Sequence, residues 1–143
     1  MNNKILIVAS DYYKNISENL INGSKQLLKK KNYEYDIIFA PGCFEIPFFI
    51  KKNINNYLGF IALGCVIRGE TYHFEIIANE CGRKIIDLSL EFNKPIGFGI
   101  LTCETFEQAF IRSDILQKNK GGEAANACIN LIENNPNTKW IID

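Results

Sequence analysis

The only histidine of this 143-residue chain, His73, lies in a polar loop that follows an apolar run. Imidazole takes up and releases protons near neutral pH, so acid–base chemistry by imidazole would have to use His73. Apolar residues recur at helical spacing after the loop, which predicts that a helix begins there. The alternative is a histidine that makes only a structural bond at a helix end. Arg68 and Thr71, with the backbone N–H groups at the start of that helix, could hold an anion such as phosphate.

Five further side chains of chemically useful type follow strands or lie at helix ends. Tyr12 and Tyr13 could stack on a planar ring, and the alternative is an ordinary surface aromatic pair. Glu45 could bond a hydroxylated chain, or it could simply be favoured at a helix N-terminus. Arg112 and Lys120 are suited to neutralising a phosphate, although a solvated helix end explains each position too.

An alternation of strands and helices must position these residues. Apolar runs predict strands at 4–9, 35–40, 58–66 and 95–102. Helical spacing predicts helices at 17–31, 44–53, 71–92, 104–111 and 122–133. Short connections between the two kinds of element predict a parallel sheet covered on both faces, a three-layer α/β/α sandwich of flavodoxin-like type. The loops that follow the four strands should therefore meet at one edge of the sheet.

Composition limits the class of protein. With 143 residues, of which 47% are hydrophobic, the chain can form one well-buried core, and we predict a single domain over 1–143. Sixteen basic residues balance sixteen acidic ones, so neither nucleic acid nor a membrane surface is expected as a partner. The sequence contains no signal peptide and no apolar run of membrane length, which predicts a cytoplasmic location.

Sequence patterns also argue against a metal or a nucleotide cofactor. The five cysteines form no C-x-x-C pair and there is no second histidine, so structural zinc is not expected. Most of the cysteines lie in apolar runs, which predicts buried thiols in a reducing compartment. The turn after the first strand lacks the glycines of a dinucleotide site, and no P-loop occurs.

Several short segments follow one another in a specific order and spacing. They are PGCFEIP at 41–47, LGCVIRGETYHF at 63–74, FGILT at 98–102, EQA at 107–109, Arg112 and NKGGEA at 119–124. On these segments, which span essentially the whole chain, the sequence resembles the lumazine synthase family. The resemblance implies a transferase of riboflavin biosynthesis that needs no cofactor or metal. It would condense 5-amino-6-(D-ribitylamino)uracil with 3,4-dihydroxy-2-butanone 4-phosphate to 6,7-dimethyl-8-ribityllumazine, phosphate and water.

The resemblance also implies a role for each matching position. His73 would act as the general acid/base. The residues implied to bind the pyrimidine substrate are Tyr12, Cys43, Phe44, Glu45, Cys65, Val66, Ile67 and Phe98. Those implied to bind phosphate are Glu70, Thr71, Arg112 and Lys120. Phe98, Arg112 and Lys120 would reach the pocket from a neighbouring subunit.

Because such sites are shared between subunits, the resemblance implies a homopentamer, which in some members packs into an icosahedral shell. Members generally have an additional N-terminal segment that pairs with a neighbour's sheet, whereas this sequence begins almost at its first strand. The choice between pentamer and shell therefore stays open. The sequence also has Asp11, Tyr12 and Tyr13 where members commonly have a basic residue, then Phe or Trp, then Asn, so which tyrosine stacks is open too. Cys43 replaces a common Ala or Ser.

Two other functions are compatible with the same fold. A non-catalytic ring or shell protein could bind a flavin or lumazine without turning it over, but it would not need His73, Arg112 and Lys120 together. An enzyme that dismutates lumazine to riboflavin is the second alternative. The complete 68–74 loop and the 119–122 segment favour the synthase.

Overall fold

A computed structural model of the chain describes residues 3–134, and within them four parallel strands form one sheet in the order β2-β1-β3-β4. The strands are β1 (Lys4–Ser10), β2 (Glu34–Ala40), β3 (Gly59–Ile67) and β4 (Ile96–Cys103). The helices are α1 (Lys14–Lys30), α2 (Ile46–Lys52), α3 (His73–Phe92), α4 (Phe106–Ser113) and α5 (Lys120–Ile132). A 3₁₀ turn at Cys43–Glu45 precedes α2. Residues 1–2 and 135–143 of the predicted domain lie outside the described residues.

The two faces of the sheet carry separate apolar cores. Along β1, Ile5 and Ile7 belong to one core, whereas Leu6 and Val8 belong to the other, as the alternation of side chains in a strand requires. Helices α1, α4 and α5 contribute to the first core, and α2 and α3 contribute to the second. The predicted three-layer α/β/α sandwich is therefore confirmed.

The strand order creates a crevice beside β1. The chain leaves β1 through α1 to reach β2 on one side, and later returns to place β3 on the other side of β1. At such a switch point the connections after the two inner strands run in opposite directions, which opens a cleft at the carboxyl ends of the strands. The loops after β1 and β3 border this cleft.

The predicted strands agree with the structure to within one residue at each end, and the helix boundaries differ more. Helix α1 begins three residues earlier than predicted. The segment predicted as one helix at 44–53 is a 3₁₀ turn followed by α2, with Pro47 in the first turn of α2, where a missing N–H costs nothing. Helix α4 begins two residues late because Thr105 caps it, its hydroxyl accepting from the N–H of Gln108 at 3.2 Å.

Glycine allows β4 to lie against α5. A Cβ atom on Gly97 would collide with the carbonyl group of Ala124, so only glycine permits this close approach. Among the described helices, none is both long enough and apolar enough to cross a membrane.

Candidate active site

A cavity of about 580 Å³ opens where β1, β2 and β3 end and α3 begins. Eight of the predicted site residues line it: Tyr12, Cys43, Phe44, Glu45, Cys65, Val66, Ile67 and His73. They come from four separate stretches of the chain, and the parallel sheet brings those stretches to one edge. The prediction that the strand-end loops gather there is confirmed for the loops after β1, β2 and β3.

Two tyrosines form an aromatic wall of the cavity. The rings of Tyr12 and Tyr13 meet nearly at right angles, with 82° between their planes and 5.0 Å between their centroids. Tyr13 packs against the core beneath α1, and burial raises the pKa of its hydroxyl. Tyr12 is 74% exposed, so most of its ring surface is free to stack on a planar ligand. Both rings line the cavity, and Tyr12 is the more available of the two.

Buried thiols form the floor of the cavity. The thiol of Cys43 lies 3.8 Å from the carbonyl oxygen of Cys65, and the thiol of Cys81 donates to the carbonyl of Cys43 at 3.1 Å. Burial raises the pKa of Cys43 to about 11 and that of Cys65 to about 12. Both groups are therefore neutral thiols near pH 7 and are not poised as thiolate nucleophiles. All five cysteines are buried and free, as predicted.

His73 begins α3 and contributes an exposed imidazole to the cavity rim. Its backbone N–H donates to the hydroxyl of Thr71 at 3.3 Å, which fixes the start of the helix. No described residue makes a hydrogen bond or an ion pair with the imidazole ring itself. The ring is therefore free to contact a ligand, and the alternative of a purely structural histidine is not supported.

Arg68 makes contacts that its position in the sequence did not predict. Its guanidinium pairs with Glu75 and with Glu104, the latter at 2.6 Å, and lies over the ring of Phe74 at 4.5 Å from the centroid. The hydrogen bonds from Arg68 hold the pKa of the Glu75 carboxyl below its usual range. Two carboxylates already pair with this cation, so its contacts support a role in fastening the loop that precedes His73, and its part in holding an anion stays a prediction.

The comparison with known proteins identifies the family. Residues 2–135 match the family model of 6,7-dimethyl-8-ribityllumazine synthase. The chain belongs to this family. The lumazine synthase of Bartonella tribocorum is 47% identical over 131 residues, which are 90% of this chain and 87% of the relative. Those of Zymomonas mobilis and Agrobacterium fabrum are 46% and 43% identical over 90% of this chain, and the matches cover 93% and 92% of these relatives.

Three of the residues predicted from the resemblance to lumazine synthases do not line the cavity of their own chain. Phe98 on β4 borders a separate hollow of about 250 Å³ beside α3. Arg112 is exposed at the end of α4, where its guanidinium lies 3.4 Å from the carbonyl oxygen of Gln108. The ammonium of Lys120 pairs with Glu123 at 2.8 Å. One chain therefore does not bring these groups to the cavity that His73 borders.

The phosphate-binding loop predicted for this lumazine synthase family member lies beside the cavity. Glu70 and Thr71 are exposed between β3 and α3, immediately before His73, and neither lines the cavity. Five residues that line it had no role predicted from the sequence: Ser10, Pro41, Gly42, Ile76 and Ile77. Ser10 could have been found, because it ends the first strand and alternation places it on the same face as Leu6 and Val8.

Proposed function

We propose that the chain is a 6,7-dimethyl-8-ribityllumazine synthase and acts as a single domain over 1–143. It condenses 5-amino-6-(D-ribitylamino)uracil with 3,4-dihydroxy-2-butanone 4-phosphate, releasing phosphate and water. The observation that carries the proposal is the convergence of His73, Tyr12 and Glu45 on one cavity, in a chain that belongs to this family. Neither a metal nor a cofactor takes part.

The pyrimidine substrate would fill this cavity. Tyr12 would stack on the ring, and backbone groups of Cys65, Val66 and Ile67 would bond its edge. The ribityl chain would extend along Cys43, Phe44 and Glu45. The mixture of exposed aromatic rings and a carboxylate on the lining supports this arrangement, because a planar ring and a polyol need those two kinds of contact.

His73 would move the protons of the reaction. The amine attacks the ketone and an imine forms with loss of water, phosphate then leaves by elimination, and ring closure releases a second water. Each step requires proton transfer, and one positioned imidazole contributes about 10²–10⁴ in rate. Holding two substrates in register supplies much of the rest, so His73 is important without being indispensable.

The phosphate site would be assembled from two subunits. Glu70 and Thr71 would donate backbone N–H groups from the loop beside His73, and Arg112, Lys120 and Phe98 would come from a neighbouring chain. Their absence from the cavity of their own chain supports this, because no described arginine or lysine lines that cavity. Arginine and lysine together suit a phosphate dianion.

A homopentamer would supply that neighbour, and an icosahedral shell would be a further level of assembly. Large apolar side chains are exposed outside the cavity: Ile86, Leu90, Phe98, Phe106, Phe110 and Leu116. Exposed apolar side chains grouped on neighbouring elements are typical of surfaces that a second chain covers. The assembly would be cytoplasmic.

The test is the appearance of lumazine absorbance and fluorescence when purified protein meets both substrates. We expect formation well above the spontaneous background, with no signal when either substrate is omitted. A parallel sample receives lumazine alone, and riboflavin appearing there would indicate the dismutating enzyme instead. A rate no faster than background from folded, oligomeric protein would leave a non-catalytic flavin- or lumazine-binding ring.

A further inference from the structure

One buried hydroxyl at the cavity has no oxygen or nitrogen atom as a hydrogen-bond partner. Ser10 is 2% exposed and lines the cavity, and among the described buried side chains its Oγ is the oxygen or nitrogen atom without a well-formed hydrogen bond. Buried hydroxyls in native proteins are almost always bonded, because an unmade bond leaves the loss of hydration uncompensated. This exception requires a physical explanation.

The neighbours of Ser10 show why no protein group satisfies it. Ser10 is the last residue of β1, and its carbonyl oxygen already accepts from the hydroxyl of Ser17 at 2.6 Å. Its side chain lies beside Gly64, where a Cβ atom would be 3.5 Å from that of Ser10 and 2.6 Å from the sulfur of Cys43. The nearby thiol of Cys43, which also lies 3.8 Å from the carbonyl oxygen of Cys65, is the one side chain that interacts with the hydroxyl, and a thiol is a weak hydrogen-bond partner. Glycine and sulfur thus surround the hydroxyl on the protein side.

Ser10 borders the cavity. The strand order brings the ends of β1 and β3 together at the crevice, so the last side chain of β1 lies at its base. A hydroxyl is both donor and acceptor, and it can bond a ligand hydroxyl in either direction. A polar group presented in this way by a rigid strand is suited to recognising a ligand.

From this geometry we infer that Ser10 is a substrate-contacting residue whose Oγ bonds a hydroxyl of the ribityl chain. This inference rests on the proposed function. The ribityl chain is the part of the ligand that Ser10 would contact, because Ser10 adjoins Cys43, on the side of the cavity that also carries Glu45. Ser10 therefore contributes to selection of a polyol-substituted pyrimidine over one with an apolar chain.

A double comparison of protein and ligand tests this role. The ligands are 6-(D-ribitylamino)uracil, which lacks the 5-amino group and cannot condense, and 6-(pentylamino)uracil, which also lacks the chain hydroxyls. Calorimetry measures both dissociation constants for the wild type and for Ser10→Ala. We expect Ser10→Ala to weaken ribityl binding about tenfold and to leave pentyl binding unchanged, as for the loss of one neutral hydrogen bond.

Ser24→Ala is the matched control. Ser24 is also a buried serine, but its hydroxyl donates to the carbonyl of Gly121 at 2.7 Å, away from the cavity. We expect Ser24→Ala to unfold at lower denaturant concentration and to bind both ligands normally, whereas Ser10→Ala should be at least as stable as the wild type. Steady-state kinetics of the wild type and the two variants should show a raised KM for the pyrimidine substrate in Ser10→Ala, with kcat unchanged.

The outcomes separate the inference from the proposed function. If the wild type prefers the ribityl ligand and Ser10→Ala keeps the full preference, Ser10 does not contact the chain and the inference is overturned. Equal weakening of both ligands, or loss of stability with normal binding, would make Ser10 a structural residue. If the wild type neither binds the ribityl ligand nor forms lumazine, the proposed function itself fails, and the inference fails with it.

Discussion

Arg68 and Glu104 join the loop after β3 to the end of β4, with 2.6 Å between Arg68 Nε and Glu104 Oε2. The same guanidinium pairs with Glu75 in the first turn of α3 and covers the ring of Phe74. Isolated surface ion pairs contribute little to stability, but a planar cation fixed by two carboxylates and a ring restricts the backbone that carries it. The 69–72 loop is thereby held at both ends.

Replacing Arg68 should loosen this loop. In Arg68→Gln we expect faster hydrogen exchange at the amides of 69–72 and a several-fold higher KM for the butanone phosphate, because the predicted phosphate-binding N–H groups lose their fixed position. Arg83→Gln is the control, since Arg83 pairs with Glu80 on an exposed turn of α3. Unchanged exchange in Arg68→Gln would show that the loop is ordered by other contacts.

Replacing His73 should slow the chemistry more than it weakens binding. We expect kcat of His73→Ala to fall by about 10²-fold or more, with small changes in either KM, because the imidazole moves protons and the other groups hold the substrates. Steady-state kinetics with each substrate in turn measure this. A normal kcat in His73→Ala would show that His73 takes no part in the mechanism. A rate no faster than the uncatalysed background would contradict the view that holding the two substrates in register supplies much of the catalysis.

Mixed oligomers test whether the site is shared. Arg112→Ala alone should raise the KM for the butanone phosphate most, because the side chain faces a dianion. When Arg112→Ala and His73→Ala chains are unfolded together and refolded at equal amounts, about a quarter of the interfaces should unite an intact His73 with an intact Arg112. Activity should then exceed the sum of the two pure variants. If activity does not rise above that sum, His73 and Arg112 do not act across an interface between two chains, and the shared site is contradicted.

The buried thiols predict a loss of stability in alkaline solution. Burial raises the pKa of Cys128 from 9.0 to about 12, so the folded state keeps a proton that the unfolded state releases. This contribution is complete below pH 9 and is lost as the pH rises from 9 towards 12. We expect the free energy of unfolding to fall over this range, with each such thiol contributing up to about 1.4 kcal/mol per pH unit.

Denaturant unfolding between pH 7 and pH 11 measures this slope. Cys128→Ala should be less stable at pH 7, because it leaves a cavity, but should fall less steeply above pH 9. Ser24→Ala removes a buried group that does not ionise there, so it should lower stability by a similar amount at every pH. If the free energy of unfolding falls equally steeply with pH in wild type and Cys128→Ala, ionisation of Cys128 does not cause the loss of stability.

The sequence predicted the sheet and most of the cavity because both depend on local patterns. Apolar runs located each strand, and the strands' parallel arrangement placed His73, Tyr12 and Glu45 together. The pairing of Arg68 was not predicted because its partner Glu104 lies 36 residues away, beyond any helical or strand spacing. The position of Ser10 followed from strand alternation, but its lack of an oxygen or nitrogen partner did not, because an unsatisfied hydroxyl is visible only when all its neighbours are known. The contribution of a second chain likewise depends on an interface that no spacing within one chain describes.

The absence of a side chain at Gly64 makes the residues allowed at positions 43 and 64 depend on each other. Because the sulfur of Cys43 occupies the space where a Cβ on Gly64 would lie, these two sites cannot enlarge independently. Any substitution at one restricts the other, and such pairs should covary among descendants of this sequence. The same contact offers a starting point for redesign. Cys43→Gly would enlarge the floor of the cavity by the volume of the thiol side chain, and a pyrimidine with a bulkier chain could then bind in preference to the natural ligand.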